Sequence, residues 1–145
     1  MQKYEAGKPA IIPCLRYADA PAAIEFLCTA FGFERHAVYA DDKDPSIIHH
    51  GQLTDRGNMI MLASLGDSEW AEKAGLRTVA EAGGNTQTNY VVIDDVDGHA
   101  ARARAAGAQI VSEPEDQDYG GRVYSARDPE GYVWSFGSYD PWAAA

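Results

Sequence analysis

At 145 residues the chain has the length of one domain, or of two small modules sharing a core, and its 46% hydrophobic content is enough to build an interior. The net charge of −10 argues against a general nucleic-acid binder, which needs cations to displace phosphate counterions; it is compatible with a cationic ligand, and equally with an acidic surface kept for solubility. Met1-Gln2-Lys3-Tyr4-Glu5 lacks the basic-then-apolar pattern of a leader and no apolar run approaches the ~18–20 residues of a membrane span, so the expectation is a cytoplasmic protein with no membrane partner.

Ile11 to Tyr17 reads as an apolar strand. Asp19 then offers an N-cap carboxylate, and Pro21 sits in the first turn, where a missing N–H costs nothing. Ile24, Leu27, Cys28 and Phe31 follow at helical spacing, and Gly32 stops the helix. Three strands are expected next, over Phe33–Ala40, Ile47–Leu53 and Asn58–Ala63. A joint from Ser64 to Asn85 carries Trp70, two short helical turns and Gly83-Gly84; a connection this long suits a lid or a dimer contact.

The plan then repeats. Thr88–Ile93 is a strand, Asp95 a cap, and Val96, Ala100, Ala103 and Ala106 the apolar stripe of a helix that Gly107 ends. Strands over Gln109–Val111, Arg122–Ala126 and Tyr132–Ser138 complete the second copy. The two caps, the two stops and the later turns at Gly57 and Gly131 recur at closely matching offsets, the mark of an internal duplication. Cys14 reads as strand and Cys28 as helix, with no C-x-x-C, so two buried, reduced thiols are expected.

A β-α-β-β-β module used twice, with Leu15-Arg16-Tyr17-Ala18-Asp19 opening one copy and Asp128-Pro129-Glu130-Gly131 closing the other, resembles the vicinal oxygen chelate superfamily of glyoxalase I, bleomycin-resistance proteins and extradiol dioxygenases. Tyr119-Gly120-Gly121-Arg122 and Trp134 are similar to the bacterial glyoxalase-like branch. The resemblance implies a single α+β domain over 1–145, with modules at about 9–63 and 86–140 joined by linker 64–85. Its strands would curl into half-barrels around a cavity, and most relatives are homodimers. Enzymes of the family hold a divalent metal with one side chain from each of four strands. Carried over strand by strand, those positions are Ile12, Met61, Thr88 and Ser135. Isoleucine has no lone pair, methionine prefers soft ions and neutral hydroxyls bind hard cations weakly. The expectation is therefore no metal and no cofactor, as in the bleomycin-resistance branch, which binds a drug without chemistry.

Strand alternation assigns faces. If Ile12 and Ser135 line the cavity, so do Cys14, Arg16, Met59, Met61, Thr88, Tyr90, Val92, Val133 and Gly137, while Tyr132, Trp134 and Phe136 turn to the helices and the core. His49 and His50 point to opposite faces; His50 would share its face with Gln52, a pair that a displaced metal could use and His36 could join. His99, off the helical stripe, reads as solvated. Arg16 could hold a carboxylate or phosphonate, or pair with an acidic neighbour. Arg122, beside Tyr119-Gly120-Gly121, could edge the pocket, with Tyr119 capping its mouth, or make an ordinary salt bridge. No G-x-S-x-G or phosphate loop is present. The leading expectation is metal-free binding or sequestration of a small organic molecule by a homodimer. The alternatives are a metal-dependent glyoxalase-like lyase or isomerase with a displaced site near His50, and a structural or regulatory dimer with a vestigial pocket.

Overall fold

A computed structural model describes residues 3–66 and 68–143; Met1 and Gln2 of the N-terminal segment and Asp67 of the joint lie outside the described residues. The element order is β1 (Cys14–Tyr17), α1 (Ala20–Phe31), β2 (Glu34–Ala40), β3 (Ile48–Asp55), β4 (Asn58–Ser64), α2 (Glu69–Ala74), α3 (Val79–Ala82), β5 (Asn89–Val92), α4 (Val96–Ala105), β6 (Gln109–Asp116), β7 (Arg122–Arg127) and β8 (Val133–Gly137). The strands form two open four-stranded sheets ordered β1-β4-β3-β2 and β5-β8-β7-β6. In each sheet the first strand runs parallel to the last and the other pairings are antiparallel. The chain is thus an α+β fold of two tandem β-α-β-β-β modules. Cys14 pairs with Met61 in one sheet as Tyr90 pairs with Ser135 in the other, so the two copies share a register as well as an order. No helix of the described residues is long and apolar enough to cross a membrane.

Local signals place the helices. Asp19 accepts from the Ala22 amide, Pro21 stands in the first turn, and Gly32 closes α1 at φ 80°, the left-handed region where a Cβ is strained. Asp95 caps α4 through the Gly98 amide. The helices pack against each other, and Arg102 of α4 donates to the Thr29 and Cys28 carbonyls at the C-terminal end of α1. Both helices share one core with the two sheets. Leu15, Tyr17, Leu53 and Leu62 enter it from one side, and Tyr124, Trp134 and Phe136 from the other. Phe31 bridges the halves, its ring centroid 4.7 Å from Phe136 and 5.8 Å from Trp134.

Several elements depart from the sequence expectation. β1 begins at Cys14 rather than Ile11, because Pro13 has no N–H to donate and only its carbonyl joins β4, accepting from Met61 N; Ile11 is 93% exposed. β6 runs on to Asp116 through Pro114, which an edge strand with register shifts tolerates. Cys14 is exposed rather than buried, since it lies on the sheet face away from the helices; both thiols are free. His99 is not solvated. Its ring stacks near Phe31 and Phe136, and Nδ1 is hydrogen-bonded to the Tyr124 hydroxyl. The packed face of α4 is therefore wider than its alanines suggested, because those small side chains let the helix approach sheet and α1 closely enough to enclose the imidazole.

The second-copy turn, Asp128-Pro129-Glu130-Gly131, holds the halves together. Asp128 is 4% exposed. One of its oxygens accepts from the Tyr17 hydroxyl at 2.6 Å and from the Trp134 indole at 3.2 Å; the other accepts the Glu130 and Tyr132 amides at 3.0 and 3.1 Å. Glu130 grips the Ala18 and Asp19 amides at 2.7 and 2.8 Å. The Tyr132 hydroxyl donates to the Arg16 carbonyl and accepts from its amide. Burial pushes the Asp128 carboxyl up, against the pull of its four donors, and desolvation followed by the Asp128 charge holds Tyr17 well above an ordinary phenol.

An Asp128→Ala variant strands the Tyr17 hydroxyl and the Trp134 indole in the core and is expected to lose about 3–5 kcal/mol in urea unfolding. His99 supplies a second expectation. Desolvation is the main cause of its lowered pKa, with the nearby Arg102 charge adding to it and a hydrogen bond to the Phe31 carbonyl opposing. The folded state therefore takes up a proton less readily than the unfolded chain. Its contribution to stability is complete above the unfolded value of about 6.5 and is lost as pH falls through the folded value. Urea midpoints measured from pH 7.5 to 5 should fall, and the fall should flatten in His99→Phe/Tyr124→Phe, which keeps the stacking and removes the titration.

Candidate functional site

The sheet faces turned away from the helices carry the site. Over the first sheet the joint folds back as a roof, and between them lies a cavity of about 530 Å³. The walls come from β1, β3 and β4, the roof from α2, α3 and Gly84–Gln87, and one side from Asn89 and Tyr132 of the second module. The roof is built by capping. Ser68 caps α2 through the Ala71 amide, and Thr78 forms a capping box with Glu81 at the start of α3. Asn85 then ties the roof to the second-copy turn, donating to the Gly131 carbonyl and accepting from the Val133 amide. At Gly131, φ is 96°, which lets the chain reverse directly into that contact.

Four residues singled out from strand alternation lie in this lining: Cys14, Arg16, His50 and Met61. Arg16 is half-buried, donates to the Ser64 carbonyl at 3.1 Å and lies 5.7 Å from the ring centroid of Trp70. His50 does share its face with Gln52, and their side-chain nitrogens are 3.0 Å apart. His49 instead turns to Asp41, and His36 lies in the register shift between β2 and β3. Gln52 and Met59 are half-buried outside the lining, on β3 and β4.

The others are spread over the molecule. Ile12 and Thr88 precede β1 and β5, and Thr88 is exposed. Tyr90 donates to the Tyr139 carbonyl at 2.6 Å, and Tyr119 packs edge-on against Tyr139 with a centroid distance of 4.9 Å. Arg122 forms ion pairs with Asp97 and Asp116, the ordinary alternative foreseen for it. The Ser135 hydroxyl shares one hydrogen bond with that of Ser125, at 2.7 Å. Alternation missed Trp70, Arg77 and Asn85, which stand in a segment without strand periodicity, and it sent Tyr132 to the helix side alone, whereas that residue lies just ahead of β8 and touches both core and cavity. The signal for the first three was the length of the joint itself and the lone tryptophan in it.

Residues 11–136 match the profile of the Glyoxalase/Bleomycin resistance protein/Dioxygenase superfamily. The chain belongs to that superfamily. An uncharacterized protein of Mycobacterium tuberculosis strain H37Rv, Rv0887c, is 33% identical over 133 residues, 90% of this chain and 74% of the relative. Among solved structures, TioX from Micromonospora sp. ML1 is 29% identical with a TM-score of 0.66, covering 89% of this chain and 97% of its own. A point mutant of the fosfomycin resistance protein FosX from Listeria monocytogenes, complexed with Mn(II) and a dihydroxypropylphosphonic acid, shares the fold at 17% identity and a TM-score of 0.62, covering 90% of this chain and 89% of its own.

The superfamily's metal can be tested against the donors present here. The four carried-over positions are an isoleucine, a methionine, a threonine and a serine, and such a set does not fit a hard divalent cation. Among the described residues no three or more His, Cys, Asp or Glu side chains group as metal ligands.

Proposed function

We propose that this superfamily member binds a small organic molecule in the cavity beneath its joint, without a metal and without chemistry on the ligand, as a cytoplasmic homodimer. The observation that carries the reading is the donor set: Ile12, Met61, Thr88 and Ser135 stand where active relatives would keep metal ligands. A cavity of about 530 Å³ suits a drug-sized or smaller molecule, and Met61, Leu76 and Val79 give it apolar wall to bury one against. Two free cysteines fit a reducing compartment. Pairing with a second copy is supported by the exposed aromatics of the second module, Tyr90 on β5 and Tyr119 in the turn between β6 and β7, which remain 41% and 60% exposed.

Elemental analysis of chelator-treated protein reloaded with Mn²⁺, Ni²⁺ or Zn²⁺ should find well under one metal per chain and an unchanged melting temperature. Stoichiometric metal that disappears in His50→Ala would replace this reading with a displaced metal site beside Gln52. Light scattering on the eluting protein should give about twice the chain mass of 15.7 kDa; a monomer at micromolar concentration would remove the dimer.

A further inference from the structure

The cavity has the opposite charge to the protein around it. The chain carries 22 aspartates and glutamates against 12 lysines and arginines, yet no acid stands in the cavity lining while Arg16 and Arg77 both do. Of the six arginines elsewhere, Arg35, Arg56, Arg104 and Arg122 each pair with a carboxylate, Arg102 is spent on the Thr29 and Cys28 carbonyls, and Arg127 makes no ion pair among the described residues. Arg16 and Arg77 have no such partner among the described residues. Arg16 gives one bond to the Ser64 carbonyl, and Arg77 gives one to its neighbour, the Leu76 carbonyl, at 2.8 Å. A guanidinium has five donors, so each fork keeps most of them uncommitted. Half-burying Arg16 with no counter-charge costs desolvation free energy that an arriving anion would offset.

A flat hydrocarbon surface stands beside those cations. Trp70 is 63% exposed in the roof, with the Arg16 guanidinium 5.7 Å from its ring centroid. An indole left this open, over walls of Met61, Leu76 and Val79, offers ring area that water covers poorly. Resting on the binding reading above, we infer that the ligand is a planar aromatic acid. Its carboxylate is held by Arg16 and Arg77, and its ring lies against Trp70 and the apolar wall. The volume of about 530 Å³ has room for one or two fused rings.

Calorimetric titration of the full chain with four probes tests this: 2-naphthoate, 2-naphthalenemethanol, 2-naphthylmethylamine and cyclohexanecarboxylate. Naphthoate should bind at least about tenfold more tightly than the alcohol, as a charge-assisted hydrogen bond warrants. Arg77→Gln, at an exposed position, and Arg16→Gln should each weaken naphthoate about tenfold and leave the alcohol within about twofold. Trp70→Leu should erase the preference for naphthoate over the saturated acid. If the alcohol or amine binds as tightly as naphthoate and Met61→Trp, which fills the cavity, abolishes both, the binding function stands and the acid is wrong. A saturated acid that matches naphthoate removes the aromatic requirement. If no probe binds, the binding reading itself falls along with this one.

Discussion

The structure depends on one buried carboxylate. Asp128 takes four hydrogen bonds, two from its own turn and two from the Tyr17 hydroxyl and the Trp134 indole. A charge out of water is tolerable only when its lone pairs are fully engaged, and here the engagement spans the two modules. Tyr17 belongs to the first strand of one copy and Trp134 to the last strand of the other. Glu130 and Tyr132, flanking the same turn, hold the backbone from Arg16 to Asp19. Among the described residues the sheets share no strand pairing, so this turn, with the aromatic cluster around Phe31, sets how they stand relative to each other.

The cavity is built outward from that contact. Tyr132 fixes the backbone of Arg16 while presenting its own ring to the pocket, and Asn85 ties the end of the roof to Gly131 and Val133. Arg16 is thereby placed between a wall it belongs to and a tryptophan brought over by the joint. The net charge of the chain says little about this site. An acidic exterior and a cationic interior coexist because many of the carboxylates are kept at helix starts, turns and strand edges, where they cap backbone amides or pair with other arginines.

Much of the fold was legible in the sequence, because duplicated signals repeat the same physics. Asp19 and Asp95 cap, Gly32 and Gly107 stop, and alternation sends Trp134 and Phe136 into the core. Edges were less legible: Pro13 shortens a strand that apolarity alone extends, and β6 runs through Pro114 to Asp116, past the expected end at Val111. The site was legible only where it stands on strands. Arg16, Cys14, His50 and Met61 follow from alternation, whereas Trp70, Arg77 and Asn85 come from a segment whose path is set by caps and by one tertiary contact, neither of which leaves a period in the sequence.

The two copies of the hairpin turn have taken different fates. In the first, Asp55 and Arg56 pair with each other and Gly57 and Asn58 are exposed. In the second, the equivalent aspartate is buried as the joint between halves. The fastening is therefore one-sided: the second-copy turn holds the other half at Tyr17, Ala18 and Asp19, while among the described residues the first-copy turn holds nothing but itself. Each half is incomplete without the other, because the carboxylate that satisfies Tyr17 comes from the second module and the hydroxyl that helps satisfy Asp128 comes from the first.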